Sequence, residues 1–181
     1  MRKVKIAEYM SLDGVVEAPE RWHFPYVAED LYRAQWAVSG DCDTMLLGRV
    51  TYESFAGVFA TAPADDPVAS VLNRFRKVVV SSSLQDPAWA NTTVLDGDLV
   101  DTVRAMKEEP GENIFVNGSI SVVRALLQAR LVDEIYLLVH PIVVGAGERL
   151  FSADGPWIPL ELASSEVLST GVLSTTYRVA A

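Results

Sequence analysis

Three short apolar runs, each closed by a small or polar residue, limit most strongly how this chain can fold. Met45-Leu46-Leu47 stops at Gly48, Val78-Val79-Val80 at Ser81, and Ile114-Phe115-Val116 at Asn117. Apolar residues in succession, without alternation, suit a strand buried on both faces. The stretches between them have helical character. Val50 to Phe55 can continue as a helix from Gly48. Asp66-Pro67 pairs an N-cap oxygen with proline at the first helical position, opening a helix to about Phe75. Asp98 caps another, which Pro110-Gly111 ends. After Asn117-Gly118-Ser119 comes a helix with Val122, Val123, Leu126 and Leu127 on one face. Ahead of the first run, Lys3 to Met10 reads as a strand with Val4 and Ile6 on one face and Lys3 and Lys5 on the other. Ala28 to Val38 then has helical spacing. Ile135 to Val139 is a further strand, and Leu160 to Val179 reads as two strands joined at Thr170-Gly171. Strand–helix alternation followed by a hairpin predicts one α/β domain over residues 1–181, its sheet mostly parallel with an antiparallel edge.

Composition excludes several classes. The chain of 181 residues is 50% hydrophobic and 22% charged, ordinary for a globular protein. A net charge of -9 argues against a nucleic-acid or anionic membrane surface. No apolar run reaches spanning length and the N-terminus lacks a signal-peptide core, so a cytoplasmic location is expected. Cys42 is the only cysteine, and its neighbours Asp41 and Asp43 raise a thiol pKa, making it a poor nucleophile. His23 and His140 lack ligand spacing, and no metal site is expected.

The chemistry lies in the turns after the apolar runs. In an open α/β sheet, ligands bind outside the carboxyl ends of the strands. Gly48-Arg49 opens a helix, where free backbone N–H groups and a guanidinium together suit phosphate. Gly118 lets backbone approach closely before a second helix N-terminus, and Ser81 and Ser82 add hydroxyls. This set fits a dinucleotide, although serine and glycine are common in turns and an arginine at such a junction is also an ordinary surface residue. Gly145-Ala146-Gly147 is followed by Leu150 where a dinucleotide fingerprint wants glycine. Trp22, Phe24, Pro25 and Tyr26 end a long loop, as a lid over a ligand or as an anchor to the body.

Five segments together resemble the dihydrofolate reductase-like superfamily, in particular the group related to the reductase domain of bacterial riboflavin biosynthesis. They are Ser11-Leu12-Asp13-Gly14, Leu47 to Glu53, Val79-Val80-Ser81-Ser82, Gly118-Ser119, and Leu131 to Glu134 running on to Phe151. The resemblance implies a three-layer fold, a central mixed sheet flanked by helices, that binds NADPH in extended form. It implies Arg49 on the adenosine 2′-phosphate and Gly48 with the Val50 and Thr51 amides at the pyrophosphate. Ser81 and Ser82 would lie by the adenosine, and Asn117, Gly118, Ser119 and Ile120 on the pyrophosphate's other side. Asp13, Gly14 and Val15 fall where a mobile loop covers the nicotinamide. Family members often carry paired glycines where this chain has Asn117-Gly118-Ser119. Glu29 and Asp30 fall near the acidic residue that protonates the pterin in true dihydrofolate reductases, and are the candidate proton donors. Both also suit the first turn of a helix.

The expected function is an NADPH-dependent reductase acting on a small pterin- or pyrimidine-like substrate. The alternatives are a riboflavin-pathway 5-amino-6-(5-phosphoribosylamino)uracil reductase and a non-catalytic NADPH-binding protein. A homodimer is expected, from the apolar stretch Ile135 to Val144 and from the resemblance.

Overall fold

The computed structural model describes residues 1–151 and 153–180. Eight strands form one sheet: β1 (Val4–Ser11), β2 (Cys42–Gly48), β3 (Arg76–Val80), β4 (Thr92–Leu95), β5 (Asn113–Asn117), β6 (Glu134–His140), β7 (Leu160–Val167) and β8 (Leu173–Val179). Their order is β4-β3-β2-β5-β1-β6-β8-β7. From β4 to β6 every pairing is parallel, whereas β8 runs antiparallel to both β6 and β7. The helices are α1 (Glu29–Ala37), α2 (Arg49–Phe59), α3 (Pro67–Asn73), α4 (Leu99–Glu108) and α5 (Ile120–Gln128). Among the described residues, no helix is long and apolar enough to cross a membrane.

The apolar runs take the places that their composition demands. Met45, Leu46, Leu47, Val78, Val79, Ile114, Phe115 and Val116 are fully buried because helices cover both faces of the sheet. On one side, Val4, Ile6, Leu46 and Ile114 pack against Val103 and Met106 of α4 and Val122, Val123 and Leu126 of α5. On the other, Ala7, Met45, Leu47 and Phe115 pack against Tyr52 of α2 and Leu72 of α3. Asp66 and Asp98 cap α3 and α4 by accepting backbone hydrogen bonds, each cap worth about 1 kcal/mol.

One detail departs from the sequence expectation. β4 was not expected, because Thr92-Thr93-Val94-Leu95 is short and half polar. It forms by pairing with β3, from Lys77↔Thr92 to Val80↔Leu95. The strand expected over Ile135 to Val139 spans Glu134 to His140, and it lies inside the sheet between β1 and β8. Its backbone is therefore paired on both sides.

Ion pairs close the end of the sheet where the parallel strands begin. Arg2 bonds Asp43 and Thr44, and Lys5 donates to both Asp41 oxygens at 2.8 Å. The opposite end, where those strands finish, is held differently. Asp13 accepts from Ser11 Oγ at 2.7 Å and from the amides of Val144 and Gly145 at 3.0 and 2.9 Å. These donors, the Ser11 hydroxyl first, pull its carboxyl down to about 2. The loop after β1 is thereby clasped to the loop after β6.

Candidate active site

β1 and β5 lie side by side, yet the chain reaches β2, beyond β5, before it returns to form β5. At this reversal the connections diverge and open a cavity of about 1200 Å³ at the carboxyl ends of β1, β2 and β5. Sites for one drug-sized ligand measure roughly 300–1,000 Å³, so there is room for a dinucleotide beside a small second molecule.

Two helices open onto this cavity without a capping side chain. Gly48 is the N-cap of α2 and Ser119 the N-cap of α5, and neither offers a side-chain cap to its own helix. Both instead lock the two turns together. The Gly48 N–H donates to Ser119 Oγ at 3.0 Å, and the Ser119 N–H donates to Thr51 Oγ1 at 2.9 Å. Gly118 has φ +67, and a Cβ there would sit 2.9 Å from Thr51 Cγ2. Only glycine lets this backbone approach the Thr51 side chain so closely. The first-turn amides of α2 and α5 thus remain available at the positive ends of two helices, a cradle that fits a pyrophosphate. Gly48, Arg49, Val50, Thr51, Asn117, Gly118, Ser119 and Ile120 all line the cavity.

The Arg49 guanidinium lies half-exposed and bonds both Glu53 oxygens at 3.0 and 2.9 Å, one helical turn away. An exposed pair of this spacing is worth about 0.3–0.5 kcal/mol, little enough for a phosphate to displace. Ser81 and Ser82 are not brought to the cavity, whereas Val80 just before them is. Ser81 Oγ instead accepts from the Ser83 and Leu84 amides and closes its own turn. Asp13, Gly14 and Val15 also stay outside. They are fixed by the Asp13 clasp and by the Val15↔Arg149 bridge, and the next residues, Val16 to Glu20, form the wall.

Glu29 and Asp30 do not reach the cavity, which corrects their place as proton donors. Asp30 accepts from the Ser169 amide at 2.7 Å and from Ser169 Oγ at 3.1 Å, tying α1 to the β7–β8 turn. Glu29 is exposed in the first turn of α1. Of the four glutamates that line the cavity, the buried one is Glu8 of β1, only 5% exposed. Burial pushes its pKa up to about 8, the nearby Gly118 amide opposing this in part. Sequence reasoning missed Glu8. The signal was there, since period-two alternation puts it on the face of Val4 and Ile6.

The aromatic loop is both anchor and wall. Trp22 and Tyr26 pack edge-on against buried His140, while His23 stacks on Tyr9 at 4.8 Å and lines the cavity with Phe24. Burial, then the neighbouring His140, lowers the pKa of His23. The fold thus brings together two histidines remote in sequence. Among the described residues no group of three His, Cys, Asp or Glu could hold a metal ion.

Known proteins resemble this chain at low identity. The chain is 27% identical over 138 residues to Bacillus subtilis (strain 168) YyaP, covering 75% of the chain and 73% of that protein. It is 31% identical over 109 residues to YwjB of the same strain, covering 60% and 58%. A candidate riboflavin biosynthesis protein from Shewanella sp. PV-4 superposes with a TM-score of 0.77 at 18% identity, over 99% of both chains. Dihydrofolate reductase from Enterococcus faecalis, complexed with NADP(H) and RAB-propyl, superposes at 0.65 and 14% identity, over 99% of this chain and 97% of that one. These structures establish a dihydrofolate reductase-like fold. With a family model matching residues 2–174, from the first residues of the chain to the start of β8, the chain belongs to the RibD C-terminal domain family.

Proposed function

We propose that this protein is an NADPH-dependent reductase acting on a small pterin- or pyrimidine-like heterocycle. The observation that carries the reading is the pair of uncapped helix N-termini meeting in one cavity, with Arg49 at α2's first residue. The Val50 and Thr51 amides and the α5 N-terminus would hold the pyrophosphate, and Arg49 the 2′-phosphate. Bound there, NADPH supplies the hydride. The chain's own residues supply orientation, exclusion of water and the proton. The family match and the NADP(H) complex of a protein of the same fold support the choice of cofactor.

Arg49 is the only lysine or arginine among the described residues that line the cavity. A substrate carrying its own phosphate would then compete with the cofactor for one cation, which favours an unphosphorylated ring over a ribosylamino-pyrimidine phosphate.

Calorimetric titration with NADPH and NADH tests this reading. A hydrogen bond to a charged group contributes about 1.5–3 kcal/mol. Arg49→Ala is therefore expected to weaken NADPH roughly ten- to a hundred-fold and to leave NADH nearly unchanged. Arg49→Lys should recover part of the loss, since a point charge cannot reproduce the planar fork. Glu53→Gln should tighten NADPH by about twofold, because it releases Arg49 from a weak pair. Wild type binding neither nucleotide would end the reading; equal weakening of both by Arg49→Ala would remove only the role given to Arg49.

The proposal includes a homodimer. One of the two edge strands of the sheet is β7, with Leu162 and Val167 exposed and Leu173 of β8 beside them. An unpaired strand edge with apolar side chains suits a second copy. Light scattering at micromolar concentration should show a dimer, and Leu162→Lys should shift it to monomer. Monomer alone in the wild type rules the dimer out.

A further inference from the structure

We propose that Glu8 is the general acid of this reductase, and that Gln35 and His23 orient the substrate ring against it. This rests on the reductase reading above and names the chain's own contribution to the reaction.

Glu8 Oε1, His23 Nδ1 and Gln35 Oε1 are buried and have no hydrogen-bond partner. Their residues are 5%, 8% and 4% exposed, and all three line the same cavity. Buried polar atoms are nearly always paired, and leaving one unpaired costs about 1–3 kcal/mol. Three orphans around one cavity point to a ligand whose polar edge completes them. Aromatic rings of Tyr9, Phe24, Tyr32 and Trp36 share the lining, so the ligand that meets these atoms is flat. A lactam or aminopyrimidine edge offers an N–H to Gln35 Oε1 and a ring atom to Glu8.

Register places the acid beside the cofactor cradle. Ala7↔Asn117 is the last pair between β1 and β5, so Glu8 lies where β5 turns away through Gly118. The same Gly118 packs on Thr51 at the start of α2. Burial keeps Glu8 protonated at neutral pH, its pKa raised to about 8. Besides Tyr9, the titratable groups lining the cavity are His23, Tyr32, Glu17, Glu20, Arg49 and Glu148. Burial holds His23 neutral, so it does not force ionisation of Glu8.

The step balances with one proton and one hydride. The hydride reaches an electrophilic ring carbon and the π pair of its double bond moves to the adjacent heteroatom. The Glu8 O–H bond breaks, that heteroatom gains the hydrogen, and the carboxylate recovers a proton from water. The substrate gains two electrons and NADPH loses them.

The test uses the full chain as wild type, Glu8→Gln, Glu8→Asp and Gln35→Leu, with NADPH and the probes 7,8-dihydropterin and pyrimidin-2-one, each with a reducible C=N bond. Infrared difference spectra of wild type against Glu8→Gln should show a protonated carboxyl band at pH 6 that is lost near pH 8. Linkage gives a second readout. Because burial raises the folded pKa from 4.5 to about 8, the Glu8 contribution to stability is complete below 4.5 and is lost as pH rises through about 8. Wild type should therefore lose stability relative to Glu8→Gln across that window. One probe at least should bind the NADP⁺-loaded protein and be reduced with NADPH. Glu8→Gln should then lose about a hundred- to ten-thousand-fold in kcat with NADPH affinity unchanged, and Glu8→Asp should restore part of the rate. Gln35→Leu should raise KM and leave kcat within a few-fold. An ionised Glu8 at pH 6, neither probe binding, or full activity in Glu8→Gln overturns this inference while NADPH binding stands. Failure of NADPH binding overturns the reductase reading instead, and the infrared result still decides the state of Glu8.

Discussion

Gly118→Val is expected to weaken NADPH binding more than a hundred-fold in a protein that still folds. Gly118 sits at φ +67, and its neighbour Ser119 is also left-handed at φ 59, so the turn from β5 into α5 needs this conformation twice. A residue other than glycine pays roughly 1–2 kcal/mol to enter it, and a β-branched one pays more. The new Cβ would also meet Thr51 Cγ2 at 2.9 Å, closer than carbon atoms tolerate. Thr51 cannot yield freely, because its Oγ1 accepts the Ser119 amide at 2.9 Å and so holds α5 against α2. Forcing it aside separates the two helix N-termini that together cradle the pyrophosphate. Gly118→Ala meets the same first contact with less bulk behind it and should fall between wild type and valine. Calorimetry with NADPH on the three proteins, alongside their thermal midpoints, checks this. Valine binding within a few-fold of wild type would show that the cofactor lies elsewhere.

Phe115→Ala is expected to lower stability by about 3–5 kcal/mol, the usual cost of deleting a buried aromatic side chain. Phe115 is fully buried in β5, the strand between β2 and β1, and its ring stacks on Phe75 at 5.8 Å. Ala7, Met45 and Leu47 surround it from the adjacent strands. These neighbours belong to paired strands and cannot collapse into the space, so the cavity persists and its cost adds to the lost burial. At a total stability of roughly 5–15 kcal/mol, the variant approaches unfolding. Its thermal midpoint should fall by about 6–20 °C. Phe24→Ala, at a residue 64% exposed, should change stability by less than about 0.5 kcal/mol. Urea denaturation of both variants checks the pair, and equal shifts would contradict the assigned core.

Local chemistry made part of the site legible. Gly48-Arg49 and Gly118-Ser119 announce themselves because an apolar strand followed by glycine and a helix is a short-range pattern, written within about ten residues. The caps at Asp66 and Asp98 were legible for the same reason, since each acts on amides two or three positions ahead. Ser81 misled because its hydroxyl has a nearer customer in its own turn. Asp30 misled because a carboxylate in a helix's first turn looks the same whether it faces a ligand or Ser169, which is 139 residues away.

The sequence by itself determined the alternation of strands and helices, the burial of the three apolar runs and the two glycine turns that open helices. Each depends on side-chain character and backbone conformation over a few neighbouring residues. Alternation places Glu8 on the face of Val4 and Ile6, but tertiary structure alone decided that it is a buried acid lining a cavity. It becomes one because β5 leaves the sheet at Asn117, α5 begins beside it, and the aromatic loop brings His23 over Tyr9. Desolvation is a property of everything packed around a group, and that packing is contributed by segments more than a hundred residues apart.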